Sequence, residues 1–173
     1  ALKRPSPDCK PIVRFHPMRR LFLALLLASG AAHAAIDLID DQGQAVHLAQ
    51  PAKRIVSLAP HITEMLFAAG AGDRVVGAVQ YSDYPEAAKK IARVGGYTSV
   101  DMEKVAALKP DLVIAWKSGN RDAHLGKLKA LGIPVFINEP RRIDDVAKSI
   151  AQIGRLAGTE AVGDAASPAF RKR

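Results

Sequence analysis

The sequence predicts an α/β fold, a Rossmann-like parallel sheet with helices on both faces. Three observations carry this. From Arg54 onward, short β-branched or apolar runs alternate with stretches of helical periodicity. One of those runs, Leu112-Val113-Ile114-Ala115, is apolar throughout, as a strand covered on both faces must be. Gly or Pro punctuates most of the junctions. Strands alternating with helices imply βαβ units and a buried parallel sheet.

The elements follow in order. Ile36 to Leu48 holds two short apolar runs around Asp40-Asp41-Gln42-Gly43-Gln44, a hairpin with a glycine turn. Arg54–Leu58 is a β-branched strand. Thr63–Ala69 is a helix, with Thr63 or Pro60 near its start and Gly70 ending it. Arg74–Val79 is a second strand. Ser82 or Asp83 can cap a short helix over Pro85–Ile91, and Val94 marks a brief strand. Asp101 caps a helix running through Leu108. Pro110 stops it, and the strand 111–115 follows. Asn120–Leu131 is helical and ends at Gly132. Pro134–Asn138 is a strand. Ile143–Ala157 is the clearest helix, with Ile143, Val146, Ala147, Ile150, Ile153, Leu156 and Ala157 on one stripe. Gly158 ends it, and Thr159 can cap a last helix that stops by Pro168.

Net charge is misleading when read over the whole chain. The formal charge is +8, which would suggest a nucleic-acid or anionic membrane partner. Residues 1–34 hold six Lys/Arg against one Asp, and Arg171-Lys172-Arg173 closes the chain, whereas residues 35–170 hold 16 basic and 16 acidic side chains. The body has no charge excess with which to neutralise phosphates. At the front, Met18-Arg19-Arg20 is followed by the apolar run Leu21–Ala28 and then Ala32-His33-Ala34. That is the pattern of a secretory signal peptide over 18–34, with residues 1–17 read as an upstream leader outside the fold. The apolar run is well short of the roughly 20 residues a bilayer span needs. The single cysteine, Cys9, precedes the processed chain, which leaves no thiol for a disulfide.

The chemistry of the body is that of binding. All three Tyr and the single Trp fall between Val79 and Trp116, as Tyr81, Tyr84, Tyr97 and Trp116. They stand beside Gly, Ser, Asp and Pro, at the ends of elements. Rings with an apolar body and a polar tip suit a large planar ligand; core packing is the competing role for such rings. On a parallel sheet the ligand lies beyond the carboxyl ends of the strands. The loops after Leu58, Val79, Val94 and Ala115, carrying Pro60, Tyr81, Tyr97 and Trp116, are therefore expected on one face. Gly70-Ala71-Gly72-Asp73 lacks the third glycine of a dinucleotide fingerprint and lies between helix and strand in the wrong order. His47, His61 and His124 show no ligand-pair spacing, although His61 could reach the mouth of the site and leaves a metal reading open. No nucleophile, base and oxyanion donor assemble. Glu103 and Lys104 read as a solvated helix face.

The segments Arg54-Ile55-Val56-Ser57-Leu58-Ala59-Pro60, Thr63-Glu64, Phe67-Ala68-Ala69-Gly70, Tyr81-Ser82-Asp83-Tyr84-Pro85 and Ala107–Trp116 resemble the periplasmic binding proteins of the iron-siderophore and vitamin B12 class, most of all the vitamin B12-binding members. The resemblance covers roughly residues 35–166. It implies one lobe of a two-lobed receptor that captures ligand in the periplasm and docks on an ABC importer permease of the inner membrane, by binding and not catalysis. Pro60, Tyr81, Tyr97 and Trp116 would line the N-terminal half of a corrinoid cleft, with Tyr97 where the B12-binding members have Trp. Glu103 would match the acid that pairs with an importer arginine. A haem or ferric-siderophore receptor of the same class is the alternative ligand reading, and a small secreted Rossmann-like enzyme the alternative class. The lobe is expected over 35–158, and the start of an inter-lobe helix with an aberrant basic tail over 159–173. The chain thus reads as truncated before its second lobe, and one lobe alone is expected to hold a corrinoid weakly.

Processing after Ala34 predicts that mass spectrometry of protein recovered from the periplasm finds Ala35 at the N-terminus. A mature chain beginning near Ala1 would overturn the export signal.

Overall fold

The computed structural model describes residues 35–171. The expected leader, the signal peptide, and Lys172 and Arg173 lie outside the described residues. Strand β1 (Ile36–Ile39) pairs antiparallel with β2 (Ala45–Leu48) in the expected hairpin. Its turn is closed by the Asp40 carboxylate, whose Oδ1 accepts from the backbone N–H groups of Gln42 at 2.9 Å and Gln44 at 2.8 Å. Gly43 sits at φ 75°, a left-handed geometry that glycine adopts without a Cβ penalty.

The central sheet is built from β3 (Ile55–Ser57), β4 (Val75–Ala78), β7 (Leu112–Ala115) and β8 (Val135–Ile137), in the order β4-β3-β7-β8 and all parallel. Ala78 also bridges Arg93 in parallel, which extends the sheet edge toward Val94 where the sequence marked a brief strand. A two-residue ribbon not foreseen from the sequence, β5 (Gly95–Gly96) with β6 (Ser99–Val100), follows it. Between the strands run α1 (Pro60–Ala68), α2 (Met102–Ala107), α3 (Asp122–Ala130), α4 (Ile143–Ala157) and α5 (Glu160–Arg171).

Side chains alternate across the strands, so the sheet carries a core on each face. Ile55, Leu112, Ile114 and Phe136 point to one side and pack with Ile62 and Leu66 of α1 and Ile150, Ile153 and Leu156 of α4. Val56, Val113, Ala115 and Val135 point to the other and pack with Val105 of α2 and Leu125 and Leu128 of α3. Each large side chain buried in these layers contributes about 1.5–3 kcal/mol. Val46 and Leu48 of the hairpin close the first core along its edge.

Four boundaries differ from the sequence reading. Helix α1 starts at Pro60, not Thr63, because proline at N1 has no N–H to leave unpaired and its φ is already helical. Helix α3 starts at Asp122, because Asn120 is withdrawn into a buried network. Neither Ser82 nor Asp83 caps the turn over Glu86–Lys90, which is 3₁₀ and has no side-chain cap; Ser82 is buried against Thr63 at 3.1 Å and Asp83 pairs with Arg93. Finally, α5 does not stop at Pro168 but continues to Arg171. A proline in the last turn forfeits one intrahelical bond, and the helix is held by its crossing on α4. There Gly163 and Gly154 meet so closely that a Cβ on Gly163 would lie 3.0 Å from the Ile150 carbonyl oxygen and 3.1 Å from the Gly154 Cα.

Candidate ligand-binding site

The chain leaves β3 toward β4, then crosses back to enter β7 on the opposite side of β3. Beyond the carboxyl ends of β3 and β7 the two connections diverge, and the sheet opens a crevice at this topological switch point. The loop after β3 delivers Pro60 and His61. The loop after β7 delivers Trp116. The connection through β5 brings Tyr97 beside it, with ring centroids 6.0 Å apart and the planes tilted by 47°. His61 meets Trp116 edge-on at 5.3 Å. Favourable geometry for such pairs adds about 0.5–1.5 kcal/mol beyond area burial.

Asn120 binds these loops together. It is 5% exposed. Its Nδ2 donates to the carbonyls of Leu58 at 3.0 Å and Tyr97 at 2.8 Å, and its Oδ1 accepts from the Trp116 N–H at 2.7 Å. One side chain thus satisfies a backbone group on each of three loops. Gly119 completes the seat of the indole, since a Cβ there would stand 2.0 Å from the Trp116 ring.

Tyr81 and Tyr84 stand out from the same end of the sheet, 76% and 70% exposed. Their loop is nonetheless fixed. The Thr63 hydroxyl, itself buried, reaches the hydroxyls of Ser57 at 2.8 Å and Ser82 at 3.1 Å. Arg93 donates to the Ser82 carbonyl at 3.0 Å and to the Asp83 carboxylate at 3.1 Å. Tyr81 holds φ at 66°, a region that a bulky L-residue occupies only when its surroundings impose it.

A cleft of about 750 Å³ opens beside these loops, lined by His61, Glu64, Tyr84, Trp116, Val146 and Phe170 among others. Of the four ring-and-proline positions expected from the sequence, Trp116 lines this cleft. Tyr97 touches it through Trp116, Pro60 opens the helix whose next residue, His61, faces it, and Tyr81 stands outside its walls. The His61 Nε2 is buried without a hydrogen-bond partner. Burial lowers the His61 pKa below the ordinary imidazole value, although the nearby Glu139 carboxylate pulls the other way. Burial works to raise the Glu139 pKa, but two hydrogen bonds from Ser118, with Arg141 and His61, outweigh it and hold the group below the usual carboxylate range. Glu103 is exposed in the first turn of α2, a helix that starts at the same end of the sheet as the mouth. Among the described residues, no cluster of three His, Cys, Asp or Glu is placed to hold a metal ion.

Sequence reasoning missed Asn120, Gly119 and the Ser57-Thr63-Ser82 hydroxyl chain. Gly119 and Asn120 lie three and four residues after Trp116, and a glycine followed by an amide one turn beyond a ring was the available signal.

The described residues form a doubly wound α/β lobe with rings gathered at its switch point. The chain belongs to the periplasmic binding protein family, whose model matches residues 55–170. It is 42% identical over 123 residues to the vitamin B12-binding protein of Vibrio cholerae serotype O1, covering 71% of this chain and 45% of that protein. It is 41% identical over 124 residues to the vitamin B12-binding protein of Yersinia pestis, covering 72% of this chain and 44% of that one. Among solved structures, the periplasmic vitamin B12 binding protein of Vibrio cholerae superposes with a TM-score of 0.68 at 41% identity, over 70% of this chain and 48% of that chain. A periplasmic haem-binding protein from Roseiflexus sp. RS-1 gives 0.62 at 30% identity, over 67% and 45%. The chain spans about half the length of the curated relatives it matches.

Truncating Asn120 to Ala orphans one N–H and two carbonyls in the interior and is expected to cost about 2–4 kcal/mol in urea unfolding. Asn120→Asp should be no better, because a carboxylate would face two carbonyl oxygens. Unchanged midpoints in both variants would remove Asn120 from its central place.

Proposed function

We propose that this chain is the N-terminal ligand-binding lobe of a substrate-binding component of an ABC importer, one that captures cobalamin or a related corrinoid in the periplasm and passes it to an inner-membrane permease. The observation that carries this reading is the Trp116, Tyr97 and His61 ring cluster at the switch-point mouth of a chain 42% identical to a vitamin B12-binding protein. Pro60, Tyr81, Tyr97 and Trp116 take the ligand-binding roles, with Trp116 as the fixed centre and Tyr81 reaching over the ligand from its strained loop. The lobe occupies 35–158, and α5 begins the connection toward a second lobe that would complete the cleft. Capture needs no chemical step: burying a planar ligand against these faces and excluding water supplies the affinity. A haem ligand is the second reading, favoured by the fold shared with the haem-binding protein from Roseiflexus.

Titration of cyanocobalamin, haemin and a ferric siderophore, read by the emission of Trp116, the chain's single Trp, separates the ligands. Cyanocobalamin should bind best. By calorimetry on a two-lobed relative, changes matching Trp116→Ala and Tyr81→Ala should each weaken it by about 1 kcal/mol or more. Unchanged affinity with intact folding would return both rings to a packing role.

Glu103 takes the permease-docking role, and its exposure is what makes it accessible. Glu103→Arg, introduced into a two-lobed relative, should lower uptake in cells and leave ligand affinity in solution unchanged. A fall in affinity instead would end the docking assignment.

A further inference from the structure

We propose that Glu139 is a positioning residue for Trp116: its carboxylate latches the tip of the loop after β7 and ties the seat of the indole to the β1–β2 hairpin. This rests on the ligand-binding reading of the ring cluster above and adds what keeps the central ring in place.

The loop after β7 is held at two points of different kind. Asn120 roots it from the interior. Its tip is Ser118, which is exposed. Within the loop, the N–H groups of Gly119 and Asn120 close back on the Trp116 carbonyl at 3.2 and 2.8 Å. Ser118 takes its partner from outside that turn. One oxygen of the Glu139 carboxylate accepts from the Ser118 N–H at 3.0 Å, and the other accepts from the Ser118 hydroxyl. Hydrogen bonds to an ionised acceptor are the stronger kind, and two of them to one planar group fix orientation as well as position. The next residue, Gly119, is the seat of the indole, where a Cβ would stand 2.0 Å from the ring. Holding Ser118 therefore holds the floor under Trp116.

A latch positions its partner only if its own base is fixed. Glu139 lies two residues past the end of β8. Its N–H donates to the Asp41 carboxylate in the hairpin turn at 2.8 Å. That turn is itself joined to β8. The Asp41 N–H donates to the Ile137 carbonyl at 3.0 Å, and the Ile137 N–H donates to the Asp40 carboxylate at 3.3 Å. Just before Glu139, the Asn138 amide reaches the Ser149 hydroxyl of α4 at 2.7 Å. Just after it, the N–H groups of Arg141 and Arg142 donate to the Asp145 carboxylate of α4 at 3.0 and 2.9 Å. The segment 138–142 is thus a post tied to sheet, hairpin and helix. Through it the hairpin, which contributes no residue to the lining of the cleft, takes part in the site.

The chemistry favours Glu at this position. Asp is one methylene shorter, and Gln replaces one acceptor oxygen by a donor that would face the donors of Ser118. Burial works to raise the Glu139 pKa, but the Ser118 bonds, with Arg141 and His61, hold it below the usual carboxylate range, so the group stays an acceptor near neutral pH. Because Ser118 is exposed, water satisfies its groups when the latch is lost. The order of the loop then changes more than the stability of the fold.

Trp116 is the chain's single Trp, so its emission reports on this loop alone. Acrylamide quenching and anisotropy of Trp116 are measured on the chain without ligand, which separates this test from that of the corrinoid reading. Glu139→Ala should raise the quenching constant at least about twofold and lower the anisotropy, with little change in the urea midpoint. Glu139→Gln keeps one acceptor and should give a smaller rise. Ser118→Ala keeps the backbone bond and should also fall between. Asp41→Ala should loosen Trp116 in the same direction, although Asp41 touches no residue of its loop.

Unchanged quenching and anisotropy in Glu139→Ala, whatever the urea midpoint, would overturn the latch, since a merely structural role gives that result. Equal rises in Glu139→Gln and Glu139→Ala would also overturn it, because charge and not hydrogen bonding would then be the cause. Should circular dichroism show Glu139→Ala unfolded, Ser118→Ala decides, and an unchanged quenching constant there would end the proposal. An unaffected Trp116 in Asp41→Ala would refute the tie to the hairpin.

Discussion

The loops after β3 and β7 and the turn of the β5–β6 ribbon meet at the carboxyl end of this sheet, and a single buried amide decides how they sit. A primary amide has two donor hydrogens and an acceptor oxygen in one rigid plane. Asn120 spends both donors on carbonyls of two loops and its oxygen on the N–H of a third. No other side chain of similar size offers that combination. Asp would lose the donors and Leu would lose everything polar. The strands end in irregular backbone whose groups must find partners when buried, and here they find the same partner. The position of Trp116 relative to Tyr97 and His61 follows from that shared bond, not from the rings' attraction for one another, which is the weaker force.

The sheet beneath is short, with strands of three or four residues. Such strands are held by their two covers. The alternation of Ile55, Leu112, Ile114 and Phe136 against Val56, Val113, Ala115 and Val135 turns one layer of backbone into the floor of two cores. Because every crossover begins at the carboxyl end, the starts of α1 to α4 collect there as well. The mouth is thus the one region in which loops, helix starts and rings coincide. The opposite end of the sheet carries helix ends and short returns such as Leu131-Gly132.

Much of this was legible in the sequence, for physical reasons that differ by element. The hairpin, the apolar strand through Ile114 and the α4 helix announce themselves because their side chains repeat at the period of their own backbone. The rings could be placed at the mouth because parallel topology sends every loop after a strand to one face. What stayed hidden depends on contacts distant in sequence. Nothing local says that Asn120 turns inward to reach Leu58, 62 residues away, or that Ser82 is drawn down to Thr63 and so cannot cap the turn that follows it. Pro168 misled in the opposite way. Local chemistry argues for a stop there, but the glycine-to-glycine crossing of α5 on α4 holds the helix on course.

The rings at the mouth divide into two kinds, and the division bears on how a ligand would be met. Trp116 is half-buried, seated on Gly119 and braced by His61 and Tyr97, so its orientation costs nothing further when a ligand arrives. Tyr81 and Tyr84 have anchored backbones but rings in solvent, free to turn about their side-chain torsions. A ligand laid on Trp116 would gain a preorganised face at once and order the tyrosines only afterwards, at about 0.5–1.5 kcal/mol for each side chain immobilised. The strain at Tyr81 lowers that cost in one respect. Its backbone is already held at φ 66°, so only the ring remains to be ordered. A fixed central face with adjustable flanking rings would suit ligands that share a planar ring and differ at its edge.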